Sequence, residues 1–285
     1  MRRNTSEMAL HGVTHALLLF WLLLIAPGAY AEQKNLLVEL SGEPAPGALL
    51  VGKTHPEAAV FLGEKPLRVN REGYFAFGFG RDDSGEKQLK IELEDRSEEW
   101  QLALAERSWD IQRIEGVPQE TVTPPESRLQ RIRSEAGQVY QARQRDSDLD
   151  GFMQSFRWPV EGRITGVFGS QRIFNGEPRR PHYGVDIAAP TGTVVIAPAD
   201  GVVSLAHDDM FFSGGTLILD HGFGVSTSYL HLSEISVEDG ERVRQGDEIG
   251  RVGATGRATG PHLCWRINWY QERLDPMTVV TSPDS

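Results

Sequence analysis

Three histidines, one aspartate and the only cysteine of the chain stand in short runs between residues 182 and 264. His182 and Asp186 lie in His-Tyr-Gly-Val-Asp, His231 lies in Tyr-Leu-His-Leu, and His262 and Cys264 lie in Pro-His-Leu-Cys-Trp. Side chains at positions i, i+2 and i+4 of a β-strand project from one face. The spacing therefore predicts that His182 shares a face with Asp186, and His262 with Cys264.

Imidazole, carboxylate and thiolate groups are the ligands that zinc takes in proteins. A catalytic zinc site has three protein ligands and an open position for water. Such a site would form from two ligands on one strand and one ligand on another, with further histidines nearby. His231, expected on one strand face with Tyr229 and Thr227, is one of the spare imidazoles.

Each of these residues also has a simpler interpretation. A single cysteine is most often a buried core residue, which is the alternative for Cys264. His231 is alternatively a structural, hydrogen-bonded histidine. Asp186 lies between two apolar residues, and a buried carboxylate without a partner is costly, so a cation is expected beside it. Arg179 is the alternative to zinc in that role.

The ordered set of runs resembles the lysostaphin-like zinc endopeptidases, which cut peptidoglycan peptides, over roughly residues 158–278. The matching features are the His182/Asp186 pair, the Tyr-x-His-Leu run ending at Leu232, the Gly-Pro-His-Leu-x-Trp run from Gly260, the lead-in Gly253–Gly256 and the run Ala197–Val203.

The resemblance implies that His182 and Asp186 bind Zn²⁺, and that His231 and His262 are catalytic histidines that do not bind the metal. The third ligand of the family is usually the second histidine of His-x-His. This chain has Cys264 there, and a thiolate is a normal zinc ligand. Which of His231 and His262 acts as the base stays open.

The whole pattern predicts a mainly β protein. We expect a signal peptide at 1–31, a small β-sandwich-like domain at 32–116, a helical linker at 117–151 and an antiparallel β-sheet groove peptidase domain at 152–285. Alternating apolar residues and turn signals define the strand candidates. They are Leu36–Leu40, Leu49–Val51, Ala59–Leu62, Leu67–Val69, Tyr74–Phe79, Gln88–Leu93, Trp100–Ala105, Val194–Ala197, Gly201–Ala206, Thr216–Asp220, Val225–Leu230 and Leu263–Trp269.

The linker helix is predicted from a capping box at Thr123–Glu126, followed by apolar residues at helical spacing. Export is predicted from the first 31 residues. Arg2 and Arg3 precede an apolar run from Ala16 to Ala26 that is too short to span a bilayer, and Ala29-Tyr30-Ala31 is typical of a cleavage site. We expect a mature chain starting near Glu32, without stable membrane insertion, in the periplasm.

The formal net charge is −11, and removing Arg2, Arg3 and Glu7 (a net +1) leaves −12. So acidic a chain is a poor match for nucleic acid. The expected partners are peptidoglycan peptides, and the sequence leaves the oligomeric state open. The function expected is an exported zinc endopeptidase. The alternatives are a non-catalytic regulator that activates other cell-wall hydrolases, and a redox-responsive protein built around Cys264, which the lack of a second cysteine disfavours.

Overall fold

The computed structural model describes residues 35–114, 126–174 and 176–280. The predicted signal peptide and the capping residues Thr123–Pro125 lie outside the described residues. Within them the chain is mainly β, with antiparallel sheets and one α-helix, which confirms the predicted fold class. The described part contains no helix whose length and apolarity would let it cross a membrane.

The N-terminal strands form two antiparallel sheets, in the orders β1-β2-β5 and β4-β3-β6-β7. Side chains from both sheets, including Leu50, Phe75, Val60 and Leu89, are buried in one core. The strands are β1 (Glu39–Ser41), β2 (Leu49–Lys53), β3 (Ala59–Leu62), β4 (Lys65–Leu67), β5 (Tyr74–Gly78), β6 (Glu86–Leu93), β7 (Arg96–Ala103) and β8 (Ile111–Ile114).

The second half of the chain starts with helix α1 and continues as short and long strands. The elements are α1 (Glu126–Arg143), β9 (Arg163–Gly166), β10 (Gln171–Phe174), β11 (Glu177–Pro178), β12 (Val185–Ala188), β13 (Val194–Ile196), β14 (Gly201–Met210), β15 (Gly214–Gly222), β16 (Val225–Leu232), β17 (Glu234–Ile235), β18 (Arg242–Val243), β19 (Glu248–Arg251), β20 (His262–Trp269) and β21 (Glu272–Leu274).

The largest sheet has the order β18-β14-β15-β16-β20-β12-β9, and β21 pairs with β20 at its side. Strand β15 is buried at every residue, and so is β16. Strands buried on both faces lose simple apolar–polar alternation. Tyr229 and Trp265 lie opposite one another on one face, which packs into the main core.

Helix α1 lies on the other face of this sheet. Ile218, Ser228 and Arg266 are neighbours across β15, β16 and β20, and directly opposite residues share a face. Ile218 packs with Leu205 and with Ala142 of α1. Helix α1 therefore forms a wall beside the face that carries Arg266.

The two halves are joined by specific contacts. Strand β8 pairs in parallel with β10, a strand that the sequence pattern did not predict. Arg107 forms an ion pair with Asp275, whose side chain is 2% exposed. The described residues from Asn35 onward group into one compact unit. The domain boundaries at 116 and 151 stay a prediction.

Candidate metal centre

The centre is built on two neighbouring strands, β12 and β20. Antiparallel pairing places Asp186 directly opposite Cys264, and Ala188 opposite His262. Opposite residues share a face, and so do residues two apart in one strand. Asp186, Cys264 and His262 therefore project from one side of the sheet, which confirms the predicted shared face of His262 and Cys264.

Three potential ligand atoms, one each from His182, Asp186 and Cys264, lie within 4.8 Å of one another. The Nε2 atom of His182 is 3.0 Å from Oδ1 of Asp186 and 3.5 Å from Sγ of Cys264. The side chains of His182 and Asp186 are 23% and 25% exposed, whereas Cys264 is 2% exposed. The cluster is thus anchored in the sheet and open to solvent on one side.

His182 reaches this cluster in a way that strand periodicity did not predict. Strand β12 begins at Val185, so His182 lies in the preceding loop rather than on one strand with Asp186. Its ring is held by Nδ1, which is 3.2 Å from the carbonyl oxygen of Val167. The expectation of a single strand face was wrong, although the two side chains do meet.

His231 reaches the centre through a β-bulge. Leu217 pairs with Tyr229, but Gly215 pairs with Leu232, so β16 has an extra residue at this point. His231 has a φ of +66°, in the left-handed region that non-glycine residues rarely adopt. Regular alternation would have sent its side chain away from Cys264, because Cys264 lies opposite Leu230.

The bulge turns the His231 ring toward His262, with 4.7 Å between the ring centroids. The predicted common face of His231 with Thr227 and Tyr229 was therefore wrong. The Thr227 and Tyr229 hydroxyls bond to each other at 2.8 Å, inside the core. Backbone strain of this kind is concentrated at functional sites.

In all three histidines Nδ1 contacts a backbone carbonyl oxygen, so Nε2 is the ring nitrogen left for the centre. Nδ1 lies 3.2 Å from the Val167 carbonyl oxygen in His182, 2.8 Å from that of Thr255 in His231, and 2.8 Å from that of Gly260 in His262. Because a carbonyl can only accept, each Nδ1–H donates, which leaves an Nε2 lone pair in the neutral ring. Backbone carbonyls are a common means of fixing metal-binding histidines.

The Asp186 carboxylate fits a cation at this point. Its Oδ1 is buried and accepts no hydrogen bond from the described residues, although Nε2 of His182 is 3.0 Å away. With Nδ1–H of His182 committed to Val167, both facing atoms are acceptors, and only a proton or a metal ion relieves the contact. Nitrogen, oxygen and sulfur donors at this separation suit tetrahedral zinc, whose ligand atoms stand roughly 3.3–3.8 Å apart.

Strand β9 leaves room for this carboxylate by carrying glycine. Gly166 lies opposite Asp186, and a Cβ atom at Gly166 would come within 2.5 Å of Asp186 Oδ2. Any larger residue would push the carboxylate out of place. The alternative partner Arg179 is not needed, because the ion-pair neighbours of Asp186 are His182 and, at 3.8 Å, His262.

The charges of His182 and Asp186 affect one another strongly. Burial works to lower the pKa of His182, but the close contacts with Asp186 and Cys264 outweigh it and raise the pKa to about 10. Burial works to raise the pKa of Asp186, and the close contact with His182 outweighs it, so the pKa falls below its usual value. A cation between the carboxylate and the imidazole, whether a proton or a metal ion, therefore stabilises this pair.

His231 differs from His182 in its protonation. Burial lowers the pKa of His231, with a further contribution from His262, although the bond to the Thr255 carbonyl opposes the shift. The His231 ring is therefore neutral at pH 7, and its Nε2 can accept a proton.

Thr255 positions His231, and the sequence pattern did not predict this contact. Its carbonyl orients His231, its Oγ1 donates to the Leu232 carbonyl at 2.8 Å, and the same Oγ1 accepts from the Gly215 N–H at 2.9 Å. It thus ties the loop before β20 to the bulge. The run Gly253–Gly256 was recognised only by its resemblance to the family.

His221 and His207 lie apart from the centre. His221 is fully buried, with Nδ1 2.7 Å from the Asp200 carbonyl oxygen and Nε2 2.7 Å from Thr227 Oγ1. Both ring nitrogens are thereby satisfied within the core, so His221 is a structural histidine.

Comparisons with known proteins match this region. The model of peptidase family M23 matches residues 180–276. The chain is 38% identical over 135 residues to the peptidoglycan DD-endopeptidase ShyA of Vibrio cholerae. The aligned region covers 46% of this chain and 30% of that protein. It is 43% identical over 121 residues to the DD-carboxypeptidase/endopeptidase Mpg of Neisseria meningitidis, covering 42% and 28%.

The chain thus spans less than a third of the length of these two relatives. A solved structure matches far more of it. The crystal structure of a Pseudomonas aeruginosa protein assigned to the M23 peptidases aligns with a TM-score of 0.65 at 30% identity, over 84% of this chain and 95% of that one.

Proposed function

The chain belongs to peptidase family M23, and from this premise we propose that it is an exported zinc metalloendopeptidase that hydrolyses peptide cross-links of peptidoglycan in the periplasm. One observation carries the proposal. Three potential zinc ligands from His182, Asp186 and Cys264 meet within 4.8 Å, and the His231 and His262 rings lie beside them with centroids 4.7 Å apart.

The substrate class is supported by the relatives. ShyA is named as a peptidoglycan DD-endopeptidase and Mpg as a DD-carboxypeptidase/endopeptidase. Periplasmic export is supported by the basic start, the short apolar run and the Ala-Tyr-Ala signal of the sequence.

In this proposal His182, Asp186 and Cys264 hold the zinc ion. The chemistry that bound zinc supplies is a water of lowered pKa and a polarised scissile carbonyl. His231 and His262 handle the protons. One accepts a proton from the attacking water, and the other stabilises the developing oxyanion or protonates the leaving amine. The neutral ring of His231, with its free Nε2, suits the accepting role.

The test combines metal analysis with digestion of purified peptidoglycan and identification of the products by mass. We expect zinc in the mature protein and release of cross-linked peptides. His182→Ala and Asp186→Ala should lose both zinc and activity, whereas His231→Ala and His262→Ala should lose activity and keep zinc. His55→Ala, at an exposed histidine far along the chain, is the matched control and should keep both.

The outcomes separate the two functional hypotheses. If His262→Ala lost its metal while Cys264→Ala kept it, the proposed roles would be wrong. A wild-type protein that takes up no zinc and releases no peptide would favour the non-catalytic regulator.

A further inference from the structure

Four arginines gather beside the candidate metal centre, and we refer to them as the arginine cluster: Arg143, Arg180, Arg266 and Arg273. Arg143 is the last residue of α1, and Arg180 is two residues before His182. Arg266 lies on β20, two residues after Cys264. Each cluster member is therefore close in the chain or in the sheet to the proposed metal ligands or to the wall formed by α1.

The cluster lacks the partners that buried cations normally have. Arg143 is 7% exposed, and neither its Nε nor its Nη1 makes a hydrogen bond within the described chain. The Nε of Arg266 is also buried and makes no hydrogen bond to any residue that the structure describes. Arg273 donates to the side-chain oxygen of Asn268 at 2.8 Å, which is a neutral acceptor. Among the described residues, no carboxylate forms an ion pair with any of the four.

The hydroxyl of Ser228 is a further buried polar group beside these arginines. Ser228 lies directly opposite Arg266 across β16 and β20, so the two side chains share a face. Its Oγ is buried and has no hydrogen-bond partner within the described residues. Buried polar groups are almost always satisfied, and exceptions point to a missing ligand or water.

The positive charges repel one another. Burial lowers the pKa of Arg143 to about 10, and the nearby Arg266 and Arg180 contribute in the same direction. Burial also lowers the pKa of Arg273, followed by the effects of Arg143 and Arg266. Such a cluster is stabilised when an anion enters it.

The fold keeps the cluster in place despite this repulsion. Ala142, beside Arg143, packs against Leu205 and Ile218 of the sheet. The Gln271 side chain donates to the Tyr140 carbonyl at 3.2 Å, which ties α1 to the turn between β20 and β21. Arg266 is partly exposed and Arg180 is exposed, so a ligand can approach from solvent.

We propose that the arginine cluster binds a carboxylate group of the peptide substrate, close to the scissile bond. Arginine forks match the planar geometry of a carboxylate and bind it through paired hydrogen bonds. Arg266 is two strand residues, about 7 Å, from Cys264. That distance equals about two residues of extended peptide, so the carboxylate belongs to a residue within two positions of the bond that is cut.

This inference rests on the proposed function, and its test has a readout that does not need catalysis. The probe is acetyl-alanyl-alanine with a free C-terminal carboxylate, compared with the same dipeptide as its C-terminal amide. Binding of each to the zinc-loaded mature chain is followed by nuclear magnetic resonance titration. We expect the acid to bind at least about tenfold more tightly than the amide, as charge-assisted hydrogen bonds require.

The variants distinguish the cluster from the metal. Arg143→Gln and Arg266→Gln should each remove most of the difference between acid and amide while zinc content stays unchanged. Arg266→Lys, which keeps a charge without the fork, should keep part of the difference and guards against a variant that fails to fold. Arg242→Gln, at an exposed arginine of β18, is the matched control and should behave like the wild type.

Two results would overturn the proposal. One is equal binding of acid and amide by the wild type. The other is an acid preference that survives in both glutamine variants, since the carboxylate would then be held by the zinc ion. Failure of the zinc-loaded protein to digest peptidoglycan would instead count against the proposed function, while the acid–amide comparison would still report on the cluster.

Discussion

Cys264 is the residue at which this chain departs from the usual ligand pattern of the family it resembles. It is buried, lies opposite Asp186 and stands 3.5 Å from Nε2 of His182. A thiolate donates more charge to zinc than an imidazole does. The proposed centre would therefore combine a strong donor with the two histidines proposed as catalytic, of which His231 is held neutral by burial.

The role of Cys264 can be read from its reactivity, because it is the only cysteine of the chain. As a zinc ligand it should resist alkylation in the metal-loaded protein and react after a chelator is added. Cys264→Ala should bind zinc weakly, since two protein ligands rarely hold it, and Cys264→His should restore binding and activity. Mass spectrometry and metal analysis measure these effects. Full zinc in Cys264→Ala would show that another residue is the third ligand.

His221 gives the fold a dependence on pH. Burial lowers its pKa below the usual value, although the bond to the Asp200 carbonyl opposes the shift. The unfolded chain takes up a proton near pH 6.5, and the folded chain does so only at lower pH. Between these two values the unfolded state binds more protons, so stability rises with pH.

We therefore expect the free energy of unfolding to decrease as pH is lowered from about 7 to about 5. His221→Gln should be less stable at pH 7 and should lose part of this slope. His55→Gln, at an exposed histidine, should keep it. Denaturant titrations at several pH values compare the three proteins. Equal slopes in the wild type and His221→Gln would contradict the prediction.

At the scale of elements, strand register decides where the ligands lie. Strand β9 contributes Gly166, whose missing Cβ lets the Asp186 carboxylate lie over the strand. Gly166→Ala should displace that carboxylate and weaken zinc binding by about tenfold or more, although no ligand is removed. A competition titration with a chelator measures the affinity. Gly137→Ala, where a Cβ would meet nothing within 4 Å, is the control and should bind zinc normally.

Strand alternation predicted one part of the centre and missed another. His262 and Cys264 share a regular strand, so a spacing of two residues was enough to place them together. His182 lies in a loop, and His231 sits at a bulge with positive φ. Neither a loop nor a bulge produces a regular spacing of residue types in the sequence. The resemblance to a family identified those two residues, whereas spacing gave them the wrong geometry.

At the scale of the molecule, the ion pair between Arg107 and Asp275 joins the N-terminal half to the half that carries the largest sheet. Asp275 is almost fully buried, accepts the Met277 N–H at 3.0 Å and is paired with Arg107. Removing the cation leaves the carboxylate buried without compensation. Sequence patterns cannot reveal this contact, because 168 residues separate the two partners.

We expect Arg107→Met to lower the free energy of unfolding by about 2 kcal/mol, less than for a fully buried pair, because Arg107 is 30% exposed whereas Asp275 is 2% exposed. Arg113→Met, at an exposed arginine of β8, should change it by less than about 0.5 kcal/mol. Denaturant unfolding of the mature chain provides both values. Similar losses in the two variants would show that the Arg107–Asp275 pair does not join the halves.

The carbonyls that hold the three histidine rings belong to Val167, Thr255 and Gly260. Every residue type carries a backbone carbonyl, so exchanging a side chain does not remove the contacts that orient these rings. A mutational scan would therefore find that Val167 tolerates substitution, even though the orientation of the His182 ring depends on its carbonyl. Damage to such a site comes instead from changes that shift the main chain, including insertions, deletions and proline replacements in the loops that carry these three carbonyls.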